Sequence, residues 1–201
     1  MKLIAATLLL LLTVLACTFG AQPPTASPAP TSQPSINSIQ EVSIPNAEVI
    51  YYDISGSTES ELRAQLDALS PVGYDNYKGD ATTNWYIGWN WPGYGTSDCD
   101  LTQTEVTYSV KVTMPRWKSP ADADPQLVNK WNNYVQALAL HETGHVNFVV
   151  QNYQSVKTAI QNATCDTAEA AAQAALEPIR QMDIDYDAET GHGATQGARF
   201  P

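Results

Sequence analysis

Leu138-Ala139-Leu140-His141-Glu142-Thr143-Gly144-His145-Val146-Asn147-Phe148 is the stretch on which the reading of this chain turns. Leu138, His141, His145 and Phe148 alternate spacings of three and four, the period of one helix face. Upstream, Leu127, Trp131 and Tyr134 continue the stripe; downstream, Tyr153, Val156 and Ile160 do. Asp124-Pro125 is a start signal, a capping Asp followed by a Pro at the first helical position. The pattern predicts one long helix that buries one face, with both histidines on the buried side. Gly144 costs such a helix roughly 1 kcal/mol in propensity, so something is expected to approach the backbone there.

His141 to His145 also reads H-E-x-x-H. Residues i and i+4 share a helix face, so two imidazoles can reach one tetrahedral zinc ion. The intervening Glu142 then stands beside the metal as the base for a bound water, whose pKa zinc lowers to about 7. Zinc is therefore the expected cofactor, with His141 and His145 as ligands and Glu142 as catalytic base. A catalytic zinc takes a third protein ligand and keeps one position open. The third and last histidine, His192, is the expected third ligand, flanked by Gly191 and Gly193, which let a loop fold tightly. The rival is Glu169, early in a second helix, in which case His192 would face the developing oxyanion. Tyr186 is a candidate hydrogen-bond donor to the tetrahedral intermediate, and Asp187 a candidate to orient a ligand imidazole.

The remaining elements set the fold class. Val49 to Ile54 reads as a strand, and Thr58 with Glu61 as the capping box of a helix faced by Leu62, Leu66 and Leu69. Trp85, Ile87, Trp89 and Trp91 alternate as the core face of a second strand. Val106, Tyr108, Val110, Val112 and Met114 do the same in a third, which Pro115 is expected to end. After the long helix, an Ala-rich helix runs from about Asp166, with Pro178 expected to kink or split it. Tyr186 to Pro201 reads as loop. The order predicts an α+β, zincin-like fold: a small antiparallel or mixed sheet packed on the zinc helix and a second C-terminal helix.

At the N-terminus, Lys2 and the apolar run Leu3 to Leu15 have the proportions of an export signal over residues 1–17, too short to span a bilayer. The run ends in Val14-Leu15-Ala16-Cys17, an imperfect lipobox, which makes Cys17 a lipidation candidate and an ordinary cleavage near Ala21 the alternative. Residues 18–44, rich in Pro, Ser, Thr, Gln and Ala, read as a disordered tether, leaving 45–201 as the folded domain. Cys99 and Cys165 then form a plausible disulfide in an oxidising compartment. With 10 Lys plus Arg against 21 Asp plus Glu, net charge −11, nucleic acid is excluded as a partner, and a membrane enters only through the lipid anchor. A monomer outside the cytoplasm, lipid-anchored to the bacterial envelope or secreted, is the expected form.

The sequence resembles a bacterial family of uncharacterised secreted domains described as zinc-dependent proteases. The resemblance rests on Tyr52-Asp53-Ile54-Ser55-Gly56 before a helix with Glu61-Leu62, on the Trp-rich strands, on Pro115-Arg116-Trp117, on His141 to His145, and on Tyr186-Asp187 through Thr190, His192 and Gly193. It covers roughly residues 48–200 and implies zinc at His141 and His145, Glu142 as base and a functional C-terminal loop. The expected activity is hydrolysis of protein or peptide substrates, with a strand such as Thr107–Met114 offering its edge to an extended chain. Two alternatives stand beside it: a surface binding or assembly protein with a structural or vestigial zinc, and a zinc hydrolase of cell-wall amide bonds.

Overall fold

The computed structural model describes residues 41–73 and 77–201. The export signal, Cys17 and the tether up to residue 40 lie outside the described residues. Three strands and three helices follow in the order β1 (Glu48–Ile54), α1 (Glu59–Leu69), β2 (Thr82–Asn90), β3 (Glu105–Trp117), α2 (Pro125–Gln161) and α3 (Ala168–Thr190). The fold is α+β with a small mixed sheet, ordered β1-β3-β2, in which β3 runs parallel to β1 and antiparallel to β2. β1 covers β3 from Lys111 to Trp117 and β2 covers it from Glu105 to Thr113, so of Thr107–Met114 only Thr107–Val110 keeps an unpaired side; the expectation is corrected for Lys111–Met114, and β2 is the edge strand on its side of the sheet.

Local chemistry explains most boundaries. Thr58 caps α1 by accepting from the Glu61 amide at 3.3 Å, while the Glu61 carboxylate reaches back to the Ser57 amide at 2.7 Å. Leu62 and Leu66 of α1 are fully buried, whereas Leu69 ends the helix largely exposed. Asp124 caps α2 through the Gln126 amide at 2.9 Å, with Pro125 at the first helical position. β3 runs on past Pro115, contrary to expectation. Its neighbour β2 has already finished at Thr82 opposite Thr113, so beyond that point β3 is edge-like and tolerates the missing N–H.

The core lies between the sheet and α2. Ile87, Val110, Val112 and Met114 meet Leu127, Trp131, Val135 and Leu138 there. α3 folds back on α2 as an antiparallel partner, and its entry is tied to the sheet side by the Cys99–Cys165 disulfide. Pro178 does not split α3. It is exposed, so water can meet the carbonyl that its missing N–H leaves unpaired. As a result α3 continues to Thr190, and Tyr186 and Asp187 stand on a helix rather than in a loop.

The segment after α3 is anchored at its end. Phe200, 1% exposed, packs its ring 5.5 Å from Trp131 and 5.2 Å from Tyr134. The Arg63 guanidinium donates to the Phe200 carbonyl at 3.3 Å and pairs with Asp80 at 2.6 Å, and Asp80 also accepts from the Tyr134 hydroxyl at 2.9 Å. At the other end, Ile44 is buried and the Tyr51 hydroxyl bonds both backbone groups of Val42.

The disulfide closes a sequence separation of 66, a long loop for the unfolded chain. Replacing Cys99 and Cys165 together by Ser is expected to lower the unfolding free energy by about 2–4 kcal/mol in urea titrations. A loss below about 1 kcal/mol would mean that the helix and sheet halves hold together without it.

Candidate metal centre

α2 buries His141, Glu142 and His145 on the face turned toward α3 and the end of β2. The His141 Nε2 and His145 Nε2 atoms lie 3.4 Å apart. Asp187 Oδ1, from α3, lies 3.2 Å from each of them. Four tetrahedral ligands at about 2.0–2.1 Å from an ion lie about 3.3 Å from one another. The three atoms therefore form one face of a tetrahedron of the size a first-row divalent ion requires, and the group His141, His145 and Asp187 could hold such an ion.

Each of the two imidazoles is fixed from behind. The His145 Nδ1 atom faces Asp183 Oδ1 at 2.9 Å, and the other oxygen of Asp183 accepts the Trp85 indole N–H at 2.6 Å. The His141 Nδ1 atom faces Gln196 Oε1 at 2.9 Å. Both acceptors put the imidazole proton on Nδ1 and leave the Nε2 lone pairs turned to the shared point. Glu142 stands beside the pair, 3% exposed, with one carboxylate oxygen accepting from the Thr83 hydroxyl at 2.7 Å.

The electrostatics call for a cation. Burial pushes the Glu142 carboxyl up from its ordinary range. Burial also works against a charged His145, but the Asp183 and Asp187 carboxylates outweigh it and lift its pKa to about 10. Asp187 would likewise be raised by burial, yet the two imidazoles hold it far below the usual carboxylate range. A metal ion held by these atoms would displace the proton that the carboxylates favour on His145. α3 adds to the demand. Asp183, Asp185, Asp187 and Glu189 occupy its last two turns, the negative end of the helix dipole, with no basic residue in the last turn.

Gly144 explains itself in this setting. A side chain there would place its Cβ 2.6 Å from Cε1, Cζ and the hydroxyl of Tyr186. The Tyr186 ring lies across that gap and stacks on His141 at 5.0 Å with 16° between the planes. Gly193 makes the second close approach, with φ +77° and its missing Cβ 2.9 Å from the His141 ring.

A family model described as bacterial protein of unknown function (DUF922) matches residues 49–193. The chain belongs to that family. The span shared with the family takes in His141, Glu142, His145, Asp183, Tyr186, Asp187 and His192, and stops short of Gln196. No curated protein and no solved structure matches the chain.

His192 is not among the three converging ligands. The chain leaves α3 through left-handed Gly191 and His192, φ 58° and 52°. This carries the His192 ring onto Tyr77, stacked at 3.7 Å, with Nδ1 3.5 Å from the outer oxygen of Asp187. Glu169 lies elsewhere on α3, accepting from Trp89 Nε1 at 2.9 Å and the Tyr94 hydroxyl at 2.7 Å. Sequence reasoning missed Asp183, Gln196 and Thr83. A usable signal existed for Asp183, because Ala168, Ala172, Leu176, Ile179, Asp183 and Asp187 continue one helical stripe.

Two outcomes follow. Asp187→Ala is expected to weaken Zn2+ binding by at least about 100-fold in chelator competition, beyond the 10–100-fold typical of outer partners, while His192→Ala weakens it less than about tenfold. The reverse ranking would make His192 the ligand. Gly144→Ala gains about 1 kcal/mol of helix propensity, yet the clash with Tyr186 is expected to lower both Tm and Zn2+ affinity. A raised Tm would show that the ring moves aside freely.

Proposed function

We propose that this chain is an exported zinc-dependent metallopeptidase with a zincin-like arrangement, in which His141, His145 and Asp187 hold the metal and Glu142 is the general base. The observation that carries the reading is the Nε2, Nε2, Oδ1 triangle with 3.2–3.4 Å sides and a glutamate beside it. Two imidazoles and one carboxylate suit zinc and leave a fourth position for water or substrate. A bound zinc ion lowers the pKa of water to about 7 and polarises a carbonyl.

The chain's own residues do the rest. Glu142, raised by burial, is poised to take a proton from the attacking water and pass it to the leaving amine. Tyr186, lying over Gly144, can donate its hydroxyl proton to the developing oxyanion. Asp187 and His192 are partly exposed, with side chains 26% and 34% exposed, so substrate approaches from their side. The edge of β2, which carries Thr83, offers main-chain hydrogen bonds to an extended peptide. The Cys99–Cys165 disulfide supports a place outside the cytoplasm, lipid-anchored or secreted, where such bonds persist.

A second reading is favoured by one observation. Glu142 is 3% exposed and its carboxylate is already bonded to Thr83. A binding or assembly protein with a structural or vestigial metal would tolerate such a closed glutamate; a peptidase must let water reach it. Glu142→Gln separates the two. On a quenched fluorescent casein substrate, the peptidase reading expects Zn2+ binding kept and cleavage reduced by at least about 100-fold. Equal cleavage by parent and variant would sink the mechanism. Stoichiometric zinc in a parent that cleaves nothing would favour the second reading.

A further inference from the structure

We infer that Gln196 is a positioning residue that serves two groups of the site at once, setting the His141 tautomer and orienting the Tyr186 hydroxyl so that its proton, held by a long contact, can be turned to a substrate oxygen. The inference rests on the metal-centre reading above and deepens it. Gln196 sits in a short 3-10 turn, Ala194–Gln196, whose amide bonds run back to Gly193. Its Oε1 atom lies 2.9 Å from His141 Nδ1, and its Nε2 atom donates to the Tyr186 hydroxyl at 3.0 Å.

The chemistry of an amide makes these two contacts interdependent. Oε1 accepts and Nε2 donates, so fixing one end of the side chain fixes the other. With Oε1 on the imidazole, His141 carries its proton on Nδ1 and keeps the Nε2 lone pair for the metal. The flipped amide would place a donor against Nδ1 and drive the proton onto Nε2, the atom 3.2 Å from Asp187 and 3.4 Å from His145. The same orientation presents an N–H to Tyr186, whose oxygen accepts it. The hydroxyl in turn donates to Oε1 at 3.3 Å, a longer contact than the 2.9 Å one from His141, on the carbonyl's second lone pair. The Tyr186 proton is thus held by the longest of the three contacts to Gln196, the one most readily exchanged for a substrate oxygen.

The turn holds its place because the tail beyond it is buried. Ala198 and Phe200 pack into the core, and Arg63 holds the Phe200 carbonyl. Gln196 itself is exposed, so replacing it removes a side chain from the surface and leaves the fold's interior untouched.

Two variants and three readouts test this. In the parent apoprotein, long-range proton–nitrogen NMR is expected to place the His141 proton on Nδ1. Gln196→Leu removes both contacts, and Zn2+ affinity by chelator competition is expected to fall about 10–100-fold. Gln196→Glu restores an acceptor for His141 but removes the donor to Tyr186. It is expected to bind Zn2+ within about threefold of the parent or tighter, yet to lose at least about tenfold in kcat on the casein substrate with little change in KM, as Tyr186→Phe does. The double variant Gln196→Glu with Tyr186→Phe is expected to lose no more than either alone. Parent-like Zn2+ affinity in Gln196→Leu, an Nε2 proton in the parent, or parent-like kcat in Gln196→Glu would each overturn the inference. A parent that cleaves no peptide sinks the proposed activity; the NMR and Zn2+ arms still decide for or against Gln196.

Discussion

Three acceptor atoms aimed at one point inside a protein repel one another until something positive stands between them. His141 Nε2, His145 Nε2 and Asp187 Oδ1 are in that position, with sides of 3.2–3.4 Å. A proton on His145, which the neighbouring carboxylates favour, relieves the repulsion in part; a metal ion would do so for all three at once. Much of the architecture follows from keeping this arrangement in place. α2 supplies two of these atoms at i and i+4, α3 must lie antiparallel against it to bring the third, and the turn after α3 must double back to cover His141.

That packing sets its own conditions. α3 cannot approach α2 closely with a side chain at 144, since the Tyr186 ring already occupies the space where a Cβ would go. Nor can the C-terminal turn close over His141 with a side chain at 193, which also adopts a left-handed φ of +77°. Trp85 and Trp89 complete the frame from the sheet side, their indole N–H groups bonded to Asp183 and Glu169 on α3. The aromatic stripe on β2 is therefore neither wholly core nor a free ligand platform. Ile87 and Trp91 are buried, while Trp85 and Trp89 stand half-buried as struts between sheet and helix.

How far the sequence reveals this depends on whether the deciding information is local. The stripe from Leu127 to Ile160, the Asp124-Pro125 start and the Thr58 cap are local, and each element appears where they place it. His141, Glu142 and His145 are legible for the same reason, because the helix alone puts them together. The third ligand position depends on tertiary structure. His192 looks suitable by residue type, but two consecutive left-handed residues swing it onto Tyr77, and Asp187 is left facing the pair. The end of α3 is obscured by Pro178, whose helix-breaking tendency is offset by an exposed position, and by Gly191, Gly193, Gly197 and Pro201, which make the segment from Tyr186 read as loop. Gln196 carries no pattern at all; its role arises from the burial of Phe200 four residues later.

The two supports behind the imidazoles differ in charge, and the difference has a consequence for the metal. Asp183 backs His145 with a carboxylate, whereas Gln196 backs His141 with a neutral amide. Asp183 and Asp187 together bring two negative charges, which a divalent ion neutralises. A buried site of this kind is least costly when its fixed charges cancel. Glu142, whose carboxyl burial already raises, then becomes the group whose charge is free to change. A base that must accept and release a proton works best with that freedom. On the peptidase reading proposed above, the neutral amide at 196 leaves Glu142 that freedom while still backing His141.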